Sequence, residues 1–147
     1  MAPAASRRRV LRKKGNAMLK GSCLCGAVRF EVDGALEKSP EACHCSQCRR
    51  QSSHYFVAVN VRRKALTLHG DDKVTWYRSS PEVRRGFCSV CGSPLFWSPT
   101  MDGYEWIAVA MGLFDLPTGA RLAKHTFVGD KGDYYDIADG LPQSQGF

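Results

Sequence analysis

Cys43-His44-Cys45-Ser46-Gln47-Cys48 sets three cysteines inside six residues. A C-x-C-x2-C run this short holds three sulfurs within a few ångströms in almost any backbone conformation, which suits one soft metal ion better than three separate buried positions. The other four cysteines stand in two pairs, Cys23-Leu24-Cys25 upstream and Cys88-Ser89-Val90-Cys91 downstream. The seven cysteines therefore divide as two, three and two.

Length and composition bound what can be built around them. A chain of 147 residues with 44% hydrophobic content fits one domain with its own core. An odd cysteine count, and only Val10-Leu11 as adjacent bulky apolar residues before Ala17, argue against a secreted disulfide framework behind a signal peptide. Thiols kept reduced in a cytoplasmic setting are the expectation. No run approaches the ~18–20 apolar residues that span a membrane, so a soluble protein is expected.

The net charge of +7 is local. Six of the 21 basic residues, Arg7, Arg8, Arg9, Arg12, Lys13 and Lys14, precede the first acidic residue, Glu31, which leaves 15 basic against 14 acidic residues after Ala17. Residues 1–17 read as a basic, disordered tail or upstream extension, with organelle targeting as the alternative. Residues 18–147 form a nearly neutral domain, which speaks against nucleic acid as a partner.

From Gly21 onward the punctuation is that of a β protein. Alternation or β-branched and aromatic enrichment predicts strands at Ala27–Val32, His54–Val61, Leu66–Leu68, Lys73–Arg78, Val83–Phe87, Leu95–Trp97 and Tyr104–Ala110. These read as successive antiparallel strands. No stretch keeps helical periodicity for three turns, and Gly112–Pro117 predicts one short helical turn at most. His125–Ile137, aromatic but rich in Gly and Asp, reads as an irregular segment packed across the sheets.

How the thiols are shared decides the chemistry. Cys23, Cys25, Cys88 and Cys91 can supply the four corners of a closed, fold-stabilising zinc site. Cys43, Cys45 and Cys48 then offer three ligands and leave one position open, as a catalytic zinc requires. A zinc ion with three thiolates is a weak electrophile and a good holder of a further sulfur. Other partitions are open to the residues alone. Cys45 and Cys48 could pair with Cys88 and Cys91 as a zinc ribbon. His44 or His54 could close the central site, although an extended segment would turn His44 away from its flanking cysteines. The C-x2-C pairs could also be redox switches, but no thioredoxin-like pattern surrounds them.

Three segments, Gly21–Phe30, Cys43–Arg49 and Arg85–Gly92, with a C-terminal stretch Phe127–Pro142, resemble the glutathione-dependent formaldehyde-activating enzyme (GFA) and centromere protein V family. The resemblance implies a mainly β fold with little helix, the zinc-bearing β-tent. It implies two zinc ions per chain, a structural one on Cys23, Cys25, Cys88 and Cys91 and a catalytic one on Cys43, Cys45 and Cys48. The implied reaction is carbon-sulfur lyase chemistry, the condensation of glutathione with formaldehyde to S-(hydroxymethyl)glutathione. Arg49 and Arg50, directly after the trio, could pair with glutathione carboxylates; Asp133 and Asp136 could line a pocket. The centromere protein branch implies the alternative, a non-catalytic zinc module that binds a partner. One departure concerns Ser53, where many members of the family carry Gly; it bears on the loop shape beside the trio.

Overall fold

The structure, a computed structural model, describes residues 18–147; the tail expected at residues 1–17 lies outside them. Ten strands and one helix follow in the order β1 (Met18–Ser22), β2 (Arg29–Asp33), β3 (Glu41–Cys43), α1 (Ser46–Ser52), β4 (Phe56–Arg62), β5 (Leu66–His69), β6 (Val74–Ser80), β7 (Val83–Cys88), β8 (Pro94–Pro99), β9 (Trp106–Ala110) and β10 (Lys124–Thr126). The fold is mostly β, as the patterning implies.

Two sheets share the strands. The smaller has the order β1-β2-β5 and the larger β10-β3-β4-β9-β8-β7-β6, every pairing antiparallel except β10 with β3. Period-two alternation turns Phe30 and Val32 of β2 inward. They meet Val59 and Val61 of β4, Leu95 and Phe96 of β8, and Ile107 and Val109 of β9 in one apolar core. Phe114 closes it, its ring edge-on to Phe30 at 5.0 Å. Strand β9 is a nearly continuous apolar run because it lies between β4 and β8 and is covered on both faces.

The expectation of successive antiparallel neighbours fails at β5. Although it lies between β4 and β6 in the chain, β5 leaves the large sheet to pair with β2. A four-residue strand with alternating exposure carries no signal for which edge it joins. Also unforeseen are β1, β3, β10 and α1. All four are only three to seven residues long, and β10 pairs in the sheet as the parallel partner of β3. The helical turn expected near Gly112 is present as a single 3-10 turn at Met111–Leu113. Among the described residues no helix is long and apolar enough to cross a membrane.

Helix α1 ends at Ser53 with φ 65° and ψ 4°, a left-handed position that favours glycine. A β-carbon there costs roughly 1–2 kcal/mol, partly offset because glycine loses more freedom on folding. Ser53→Gly is therefore expected to stabilise the protein by up to about 1 kcal/mol, read from the denaturant midpoint; an unchanged or lower midpoint contradicts the reading.

Candidate metal centres and an adjoining cavity

The sulfurs gather in two groups. Cys23, Cys25, Cys88 and Cys91 form one, Cys43, Cys45 and Cys48 the other, and within each the Sγ atoms lie within 4.8 Å of one another. No disulfide joins them.

The four-sulfur group is made by two tight turns. The Gly26 amide donates to the Cys23 carbonyl at 3.1 Å, and the Gly92 amide to the Cys88 carbonyl at 2.8 Å. Each turn places Gly in the left-handed region directly after its second cysteine, φ 79° at Gly26 and 78° at Gly92, where a residue without a β-carbon costs least. Sγ of Cys23 and Cys25 are 3.6 Å apart, and those of Cys25 and Cys88 3.8 Å. The Val28 amide donates to the Cys23 sulfur at 3.3 Å. Hydrogen bonds from Ser93 pull the Cys91 thiol down to about 5.

In the three-sulfur group, Cys43 ends β3, Cys45 caps α1 and Cys48 lies in its first turn. The Cys48 amide donates to the Cys45 sulfur at 3.4 Å. Hydrogen bonds from Cys43 and then Cys48 draw the Cys45 thiol down to about 2, while contacts with Cys43 and then Cys45 push Cys48 upward. Three sulfurs so close cannot all ionise unaided, and a cation among them removes the conflict. Soft, reduced donors within reach of one ion make both groups fit for a metal. Among the described residues no His, Cys, Asp or Glu joins the trio as a fourth donor.

His44 faces the other way. Extended backbone through Cys45 (φ −61°, ψ 159°) alternates the side chains, and the His44 ring is fully buried. It hydrogen-bonds the Tyr135 hydroxyl through Nδ1 and His125 Nδ1 through Nε2, the latter at 2.8 Å. His125 Nε2 reaches Asp139 Oδ2 at 2.7 Å. His54 is bonded to the Tyr134 hydroxyl at 2.7 Å. Burial, then the neighbouring His125, lowers the His44 pKa to about 4.

Arg85 was missed as a site residue by sequence reasoning. Its guanidinium, 5% exposed, donates from Nη1 to Cys48 Sγ at 3.5 Å and to Gln51 Oε1 at 3.1 Å, from Nη2 to Gln47 Oε1 at 3.2 Å, and from Nε to Ser79 Oγ at 3.2 Å. Among the described residues no carboxylate pairs with it; its charge faces a thiol. Alternation along β7 carried the available signal, since Arg84 and Arg85 must point to opposite faces. Arg84 lies over the Trp76 ring at 4.1 Å instead.

A cavity of about 350 Å³ adjoins the trio and Arg85. Its apolar lining includes Phe56, Ala58, Trp97, Ala108, Phe127 and Phe147, and its polar lining includes Glu41, Asn60, Ser80 and Asp130. Phe127 holds a left-handed backbone, φ 54°. For a bulky residue this is a strained state of order 1–3 kcal/mol, kept where the surroundings fix it. Of the other predicted contacts, Arg49 is half-buried and Arg50 exposed on α1. Neither they nor Asp133 and Asp136 line the cavity.

A profile of the glutathione-dependent formaldehyde-activating enzyme family matches residues 18–130. The chain belongs to the GFA family. An uncharacterized lyase of Schizosaccharomyces pombe is 30% identical over 122 residues, 82% of this chain and 85% of that protein. A Halomonas elongata protein described as a candidate glutathione-dependent formaldehyde-activating enzyme is 38% identical over 87 residues, 54% of this chain and 55% of its own length. A crystal structure of a Rhodobacter sphaeroides protein shares the fold, with TM-score 0.55 and 23% identity over 85% of this chain and 98% of that one. The family is one of enzymes, and this GFA chain carries two cysteine clusters able to hold metal.

The His44 ring is expected to stay neutral down to about 4, against an ordinary value of 6.5. The unfolded chain takes up this proton at the higher pH, so stability falls as pH drops through that window and is unaffected by this group above it. Imidazole NMR shifts followed against pH check it; a midpoint near the ordinary value contradicts the buried arrangement.

Proposed function

We propose that this GFA protein joins a small thiol to an aldehyde, in the manner of an S-(hydroxymethyl)glutathione synthase acting on glutathione and formaldehyde. One observation carries the reading: three cysteine sulfurs, without a fourth protein donor among the described residues, adjoin a cavity large enough for a small ligand. The family and the Halomonas elongata relative's description support the same chemistry. In the reaction the thiol sulfur bonds to the carbonyl carbon, the C=O double bond opens, and the proton lost by the thiol is regained at the new hydroxyl.

Zinc fits both sulfur sets, and on Cys43, Cys45 and Cys48 it would supply a soft Lewis acid that favours the thiolate form of a bound thiol. Cys23, Cys25, Cys88 and Cys91, a closed set, have the structural role. Arg85 offsets the negative charge of the three thiolates through its contact with Cys48. Holding thiol and aldehyde side by side contributes the proximity term.

Exchange NMR on a glutathione and formaldehyde mixture tests the reading, because only a rate difference over the uncatalysed adduct counts. Zinc-replete protein is expected to accelerate exchange, and no acceleration overturns the proposal. Cys48→Ser is expected to lose the acceleration and one metal while keeping the β circular-dichroism signature. Arg85→Gln is expected to lower metal affinity or rate by about 10–100-fold.

A further inference from the structure

The lining of the cavity is poorly matched to the carboxylates of a tripeptide thiol. The lining holds two acidic side chains, Glu41, which pairs with Lys124 at 3.5 Å, and Asp130. The cation in the lining, Arg85, already spends all but one of its N–H donors on Cys48, Gln47, Gln51 and Ser79, and Arg49 and Arg50 are not part of the lining. A ligand bringing two further carboxylates meets Asp130, unpaired among the described residues, with Arg85 the one cation in that lining to offset them.

What the cavity offers instead is an aromatic wall. The Phe147 ring packs 5.9 Å from Trp97 and 5.0 Å, edge-on, from Phe127. Phe127 reaches this wall from a left-handed backbone, a conformation that packing with the cavity lining must hold in place. Among the lining residues, Asn60 carries a buried acceptor, Oδ1, with no hydrogen-bond partner among the described residues. A buried acceptor without a donor is costly, so a ligand that occupies the cavity gains by presenting an N–H to it.

We infer that the thiol this site binds best is uncharged, with an aromatic or apolar body and a single N–H donor. The inference rests on the three-sulfur cluster being the thiol site. The sulfur sits beside Cys43, Cys45 and Cys48, the body lies against Trp97, Phe127 and Phe147, and the N–H meets Asn60. Thiol binding there releases one proton to solvent, and glutathione is a weaker ligand.

Isothermal titration of zinc-loaded protein with N-(2-mercaptoethyl)benzamide and, separately, glutathione tests this. The aryl amide thiol is expected to bind about tenfold or more tightly than glutathione. Phe147→Ala, at an exposed side chain, and Asn60→Leu are each expected to weaken the aryl thiol by a larger factor than glutathione, and an equal or smaller factor overturns the inference. Glutathione binding as tightly as the aryl thiol overturns the selectivity alone. Binding of the aryl thiol that survives Cys48→Ser places it away from the cluster and overturns the inference. No binding of either thiol overturns this inference and the thiol reading beneath it.

Discussion

Four sulfurs tie the two sheets at one corner. Cys23 and Cys25 occupy the link between β1 and β2 of the small sheet, and Cys88 and Cys91 the link between β7 and β8 of the large one. A metal held there would close the 63-residue span from Cys25 to Cys88, with the whole of the second cysteine group, into a loop. Such a closure would help to hold the apolar faces of β2, β4, β8 and β9 against each other.

The second sulfur group depends on the end of the large sheet that carries β3. Cys43 is delivered by β3, and Cys45 and Cys48 by the first turn of α1, so a three-residue strand and a seven-residue helix define the trio. Neither element would persist alone. They are held by β4 on one side and β10 on the other, and by the charge of Arg85 arriving from β7. A buried arginine without a carboxylate partner is expensive unless something negative lies beside it. Thiolates holding a metal would meet that need, which ties the electrostatics of β7 to those of α1.

Much of this was legible in sequence, for separate reasons. Cysteine spacing constrains sulfur positions through short turns, so the two-three-two division maps directly onto the four- and three-sulfur groups. The rotation of His44 away from Cys43 and Cys45 follows from alternation in extended chain. The long β-branched and aromatic runs of β4 and β9 declared themselves as strands. What escaped notice depends on distant chain: β10 pairs with β3 from some eighty residues away, β5 chooses its sheet by packing, and Arg85 acquires meaning only once β7 brings it to α1. Phe127 was visible as an aromatic residue, but its left-handed backbone and place in the cavity wall are properties of the surrounding contacts.

The alternation at Cys43, His44 and Cys45 makes this stretch behave like a rocker. Its sulfurs lie on one side of the backbone and, on the other, an imidazole pinned to His125 and Tyr135. Disturbing the imidazole side swings the sulfurs without touching them, so damage inflicted as far off as Asp139 would surface as a loosened grip at the thiols. In a mutational survey, residues with no access to the cavity would then masquerade as members of the metal-holding set.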